Sequence, residues 1–167
     1  MVGWAGDLLD LLAGLSILEV ALRTEVALEA LARAAAARDR AGVLVGAGTV
    51  RRAEQVDGAV AAGADFVVTP GLDVRVVERC PDLGVPVLPG IATAGEAMAV
   101  LGLGIEAAKL FPVALLGGPA AVEAFAGPFP DLRLVPSGGV TRTDAAGYLA
   151  FPTVLAVSGS WLLQEAS

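Results

Sequence analysis

Ala107-Ala108-Lys109-Leu110-Phe111-Pro112 reads as a short strand, apolar on both faces apart from one lysine, that stops at a proline. Six other runs of this kind occur, at residues 17–22, 43–46, 66–69, 85–89, 132–136 and 154–157. With Ile17, Val43, Phe66, Val87, Ala108, Leu134 and Leu155 as markers, successive runs lie 21 to 26 residues apart. Strands apolar on both faces are covered on both sides, as in a parallel sheet, and the intervening lengths suit crossover helices. Residues 25–40, 51–62 and 141–149 show amphipathic helical spacing, and residues 5–14 leave room for one helix before the first strand. The sequence therefore predicts an α/β fold built from a βα repeat, in one domain spanning residues 1–167.

Polar or conformationally special residues follow nearly every run on the same side: Arg23-Thr24, Gly48-Thr49, Pro70-Gly71, Gly90, Pro112, Ser137-Gly138-Gly139 and Ser158-Gly159-Ser160. The C-terminal strand ends of a (β/α)8 barrel carry the active site, and an open doubly wound sheet uses the same ends at its switch point. This pattern fits both.

The chain has a formal charge of −7 and no histidine, with one cysteine among 167 residues. Nucleic-acid affinity comes largely from cations neutralising phosphates, so no nucleic-acid partner is expected. Hydrophobic residues make up 56%, yet no run approaches the roughly 18 apolar residues of a spanning helix. No membrane association is expected, and the acidic N-terminal stretch points to a cytoplasmic protein. The lone Cys80 fits a reducing compartment, and the ligand supply favours metal-free chemistry.

Lys109 is the conspicuous charge. Burying an ammonium is costly, so the side chain either reaches an open site or gives up its proton. A neutral lysine amine attacks carbonyl carbon, whereas a strand-end lysine can equally snorkel to solvent or pair with a carboxylate. In Ser16-Ile17-Leu18-Glu19-Val20-Ala21-Leu22-Arg23, alternation sets Glu19 on the face opposite Leu18 and Val20 and on the side of Ala21 and Arg23. An inward carboxylate and an inward ammonium could meet near a barrel axis, as catalytic partners or as a structural ion pair. Gly46-Ala47-Gly48 begins like a dinucleotide fingerprint, but Arg51 occupies the third glycine position, so the glycines read as a tight turn presenting Thr49. Ser137-Gly138-Gly139 and Ser158-Gly159-Ser160 follow the last two runs, where barrels build a phosphate site from backbone N–H groups.

Seven motifs in one order carry a resemblance: Leu18-Glu19-Val20-Ala21-Leu22-Arg23-Thr24-Glu25, Gly46-Ala47-Gly48-Thr49-Val50, Pro70-Gly71-Leu72, Pro89-Gly90-Ile91-Ala92-Thr93, Lys109-Leu110-Phe111-Pro112, Pro136-Ser137-Gly138-Gly139 and Gly159-Ser160-Trp161-Leu162. From about residue 7 to 163 the chain resembles the 2-keto-3-deoxy-6-phosphogluconate (KDPG) and 4-hydroxy-2-oxoglutarate (KHG) aldolases. The resemblance implies a TIM (β/α)8-type parallel barrel, a homotrimer, and a class I aldolase that uses a lysine Schiff base with no metal and no cofactor. The implied substrate is a small 2-keto acid, phosphorylated in the KDPG case, cleaved to pyruvate and an aldehyde, either glyceraldehyde 3-phosphate or glyoxylate. By motif position Lys109 resembles the Schiff-base lysine and Glu19 the general acid/base. Arg23 and Thr49 match carboxylate-binding positions, Pro89 and Phe111 line the site, and Ser137, Gly138, Gly139 and Ser160 match the phosphate end.

The chain departs from the family pattern at Ala21, Leu110 and Ser158. It also has no counterpart of the first strand ahead of residues 5–14, and almost none of the final helix. Those departures sustain a second expectation, a non-catalytic phosphate-ligand-binding protein of the same fold. A nucleotide-dependent oxidoreductase would rest on Gly46-Ala47-Gly48 alone.

Overall fold

The computed structural model describes residues 16–163, which divide into two compact units. The expected helix at residues 5–14 lies outside the described residues. The first unit takes in the described residues up to Thr69 together with Asp73–Val87, and the second takes in Pro70–Leu72 and the chain from Leu88 onward.

In the first unit β1 (Ile17–Ala21), β2 (Leu44–Gly48) and β3 (Phe66–Val68) follow one another in a sheet whose last strand, β4 (Val87–Leu88), falls at the unit's end. The β1/β2 pairing is parallel, with Glu19 opposite Gly46 and Ala21 opposite Gly48. The helices are α1 (Ala27–Ala41), α2 (Ala53–Ala61) and α3 (Val74–Asp82). Alanine-rich α1 buries Ala27, Leu31 and Ala34, the i, i+4, i+7 stripe that one helical face requires. It stops at Gly42, whose φ of 67° allows its N–H to reach back to the Arg38 carbonyl at 2.8 Å. Helix α3 begins where the Asp73 carboxylate accepts from the Arg75 N–H at 3.0 Å. Val45, Val56, Val67, Val76 and Cys80 form the centre of this unit's core, each with no exposed surface.

The second unit repeats the scheme with parallel β5 (Gly90–Ile91), β6 (Ala107–Leu110) and β7 (Arg133–Pro136), and with α4 (Ala94–Gly102), α5 (Pro119–Ala126) and α6 (Arg142–Leu149). Thr93 and Glu96 cap α4 reciprocally: the Glu96 carboxylate accepts from the Thr93 N–H at 2.9 Å, and the Thr93 hydroxyl accepts from the Glu96 N–H at 3.3 Å. Ile91, Ala108, Leu110, Leu132, Leu134 and Tyr148 are central to the core.

Two expected strands differ. The run 85–89 shrinks to β4, and β5 lies beyond it, separated from β4 by Pro89, which has no N–H for a ladder. The run 154–157 is not a strand but holds one isolated bridge, Leu134 to Val154, with a second, Ser137 to Ser158, just past its end. Leu134 donates to the Thr153 carbonyl at 2.8 Å and accepts from the Leu155 N–H at 2.9 Å. The next rung of a parallel ladder would need an N–H from Pro136, so the pairing breaks there. Among the described residues no helix is long and apolar enough to cross a membrane.

A charged knot ties α1 to the N-terminal ends of β2 and β3. One Asp65 carboxylate oxygen accepts from Arg38 at 2.5 Å and the other from the Val45 N–H at 2.9 Å. Val45 is fully buried, so an Asp65→Ala change orphans its N–H and strips a partner from Arg38. Denaturant titration of Asp65→Ala is expected to show a loss of about 2–3 kcal/mol.

Candidate active site

Strand β6 must satisfy two demands. Ala108 and Leu110 enter the apolar core of the second unit, so alternation turns Lys109 to the other face. There it is flanked in register by Gly90 on β5 and Val135 on β7. Gly90 contributes no side chain because the Pro70–Gly71 backbone fills that place, where a Cβ would stand 2.5 Å from the Pro70 carbonyl carbon, while Val135 is buried and walls the opposite side. Lys109 is itself only 7% exposed, and its Nζ lies 5.4 Å from the centroid of the Phe111 ring. An aromatic face stabilises a cation with little hydration and also excludes water from an amine. The Lys109 N–H donates to the Pro89 carbonyl at 2.8 Å, which fixes the backbone beneath the side chain.

Phe111 links the lysine to the Ser137-Gly138-Gly139 loop. A Cβ on Gly138 would stand 2.8 Å from the Phe111 ring, and Gly138 and Gly139 have φ of 82° and 91°. Glycine is demanded here twice, by the left-handed backbone and by the ring above it. The loop is anchored by bonds from the Val113 N–H to the Ser137 carbonyl at 2.8 Å and from the Ala114 N–H to the Gly138 carbonyl at 3.1 Å. Ser137 is buried and bridges Ser158, two residues before exposed Ser160, which opens a short 3-10 helix at Ser160–Leu163. Pro89, Lys109, Phe111, Ser137 and Gly138 are thus joined by direct contact or hydrogen bond, whereas Gly139 extends the loop and Ser160 begins the neighbouring segment.

In the first unit Glu19 lies across Gly48, where a Cβ would overlap its carboxylate, and the Phe66 ring lies across Gly46 in the same way. The expected tight turn at Gly46-Ala47-Gly48 is therefore corrected: both glycines lie within β2, on one face, and their bareness makes space for the carboxylate and the ring. Thr49 follows with φ of 57°, a left-handed backbone that a β-branched residue adopts only at a cost of about 1–3 kcal/mol. Strain of that kind collects where a side chain must be aimed. Arg23 is exposed beyond the end of β1, its N–H turned back to the Ala21 carbonyl at 2.9 Å. Phe66 and Val135 were not among the sequence-derived site residues; extending the strand alternation used for Glu19 to β3 and β7 would have found them.

Cys80 is not a competing nucleophile, because burial pushes its thiol up to about 11 and leaves little thiolate near neutrality. Lys109 is the only lysine of the chain.

The family model for KDPG and KHG aldolase matches residues 5–167. The chain belongs to the KDPG and KHG aldolase family. A 2-dehydro-3-deoxy-phosphogluconate aldolase of Treponema pallidum is 48% identical over 154 residues, covering 92% of this chain and 72% of the relative. The crystal structure of the Zymomonas mobilis KDPG aldolase with 3-phosphoglycerate matches with a TM-score of 0.88 at 36% identity, over 97% of this chain and 82% of that one. The Legionella pneumophila KDPG aldolase, with pyruvate captured as a covalent carbinolamine, matches with a TM-score of 0.85 at 34% identity, over 97% and 86%. Membership in this aldolase family gives the chain the parallel TIM-barrel type of fold that the resemblance implied.

Gly48→Ala tests the fit between β2 and Glu19. The new methyl displaces the carboxylate, so the rate of aldol cleavage is expected to fall at least about tenfold while the circular-dichroism spectrum is retained. Adding Gly48→Ala to Glu19→Gln should cost little further activity, since both act through the same group.

Proposed function

We propose that the protein is a class I aldolase that cleaves KDPG-type or KHG-type acids to pyruvate and an aldehyde, glyceraldehyde 3-phosphate or glyoxylate. The observation that carries this reading is the buried amine of Lys109, alone of its kind in the chain, in a family whose Legionella member holds pyruvate as a carbinolamine.

Lys109, as the free amine, adds to the C2 ketone of the substrate to form a carbinolamine, and loss of water gives a protonated imine. Glu19 moves the protons of these steps. It then takes the C4 hydroxyl proton as the C3–C4 bond breaks, the aldehyde leaves, and the bonding electrons pass into the imine as an enamine. Protonation at C3 and hydrolysis release pyruvate and return the amine. Arg23 and Thr49 bind the substrate carboxylate and fix which carbonyl meets the lysine. Pro89 and Phe111 keep water from the amine. Ser137, Gly138, Gly139 and Ser160 receive the phosphate, where open glycine backbone brings N–H groups close to an anion. The roles of Glu19, Arg23, Thr49 and Ser160 rest on motif position; those of Lys109 and Gly138 are supported as well by their surroundings.

A homotrimer belongs to the same reading. Leu115 is 86% exposed and Met98 66% in the second unit, and Ile17 and Val26 are exposed in the first. Apolar side chains left in water favour burial between copies. Light scattering is expected to give three chains per particle; a stable monomer would remove the trimer from the account.

Lys109→Met should keep the fold and lower aldol cleavage at least about a thousandfold. Wild-type activity should persist in EDTA, since the electron sink is the imine. Loss on chelation with recovery on adding a divalent ion would assign the reaction to a metal-dependent route instead.

A further inference from the structure

Three residues of the first unit stand in one row across its sheet. Glu19 of β1 is in register with Gly46 of β2, and Gly46 with Phe66 of β3. Gly46 is bare, so the place above it is open from either side, and the Phe66 ring takes it from β3: a Cβ on Gly46 would overlap the ring edge. The Glu19 carboxylate does not lie above its own register partner. It lies one step further along the same face, over Gly48, the last residue of β2. None of the roles above uses Phe66.

We propose that Phe66 is a positioning residue for Glu19: its ring fills the place over Gly46 and so directs the carboxylate to the place over Gly48, nearer the C-terminal ends of the strands. The inference rests on the reading of Glu19 as the general acid/base. A carboxylate beside a bare glycine would otherwise have two vacant places within reach of its rotamers, and a proton-transfer group divided between two positions meets the reacting atoms for only part of the time. The ring's own placement is anchored. The Asp65 N–H donates to the Val45 carbonyl at 2.7 Å, and the Val45 N–H donates to the Asp65 carboxylate at 2.9 Å. Both bonds join the chain entering β3 to β2 one residue before Phe66 and Gly46, which fixes the register that brings the ring over the glycine. A phenyl ring has no hydrogen-bonding group with which to hold the carboxylate back, so it closes one position without competing for the proton.

The test measures aldol cleavage in the full chain for wild type, Phe66→Ala, Phe66→Leu and Glu19→Gln, and for each Phe66 change combined with Glu19→Gln. Phe66→Ala should lower kcat about tenfold and leave KM within about twofold, the pattern of a group that acts on the transition state and not on substrate binding. Phe66→Leu, which still covers part of Gly46, should lose less. Against the residual rate of Glu19→Gln, Phe66→Ala should cost at most about twofold, because the group it positions is already gone. An unchanged kcat in Phe66→Ala, or a fall of the same size with and without the Glu19 carboxylate, would overturn the inference and leave the reading of Glu19 standing. A raised KM with kcat held would do the same and mark Phe66 as a wall of the substrate site. Full activity in Glu19→Gln would overturn the reading of Glu19 and this inference together. Where Glu19→Gln leaves no measurable rate, the split between kcat and KM in Phe66→Ala decides. The melting temperature shows whether each variant is folded, and Phe66→Leu supplies the same comparison should Phe66→Ala fail to fold.

Discussion

One strand has to bury hydrocarbon on one face and hold an amine on the other. Strand β6 does both within four residues, with Ala108 and Leu110 in the core and Lys109 opposite them. The neighbours follow from that constraint. Gly90 admits the Pro70–Gly71 backbone on one side, Val135 closes the other, and Phe111 supplies an aromatic face.

The same economy appears in the first unit. Gly46 and Gly48 present no side chains on the face of β2 over which Phe66 and Glu19 lie. A G-x-G sequence that elsewhere cradles a pyrophosphate here clears space for a ring and a carboxylate. It also delivers the chain into Thr49, held in a left-handed conformation. A β-branched residue held there costs stability.

Much of this was legible in the sequence because the governing signals are local. The βα spacing, the alternation around Glu19 and the charge inside an apolar run each depend on a few adjacent residues. Helices α2 and α6 fall inside the expected stretches, and α1 starts two residues later and ends one residue later than expected, at the Gly42 cap. What the sequence hid depends on partners distant in the chain. The use of Gly48 is apparent only once Glu19 lies beside it, 29 positions earlier. The break at residues 154–157 depends on Pro136 facing that run, so no reading of the run by itself could show it. Phe66 and Val135 likewise look like ordinary strand residues until their faces are known.

The central claim is that the Lys109 amine forms a Schiff base with the keto acid. Reduction with sodium borohydride in the presence of pyruvate, followed by intact-mass and peptide analysis, tests it most directly. With one lysine in the chain, the only competing amine is the N-terminus. The account predicts one stable adduct per chain, on the peptide that contains Lys109, and none there in Lys109→Met. A folded sample that acquires no adduct, or acquires it only at the N-terminal amine, would contradict it.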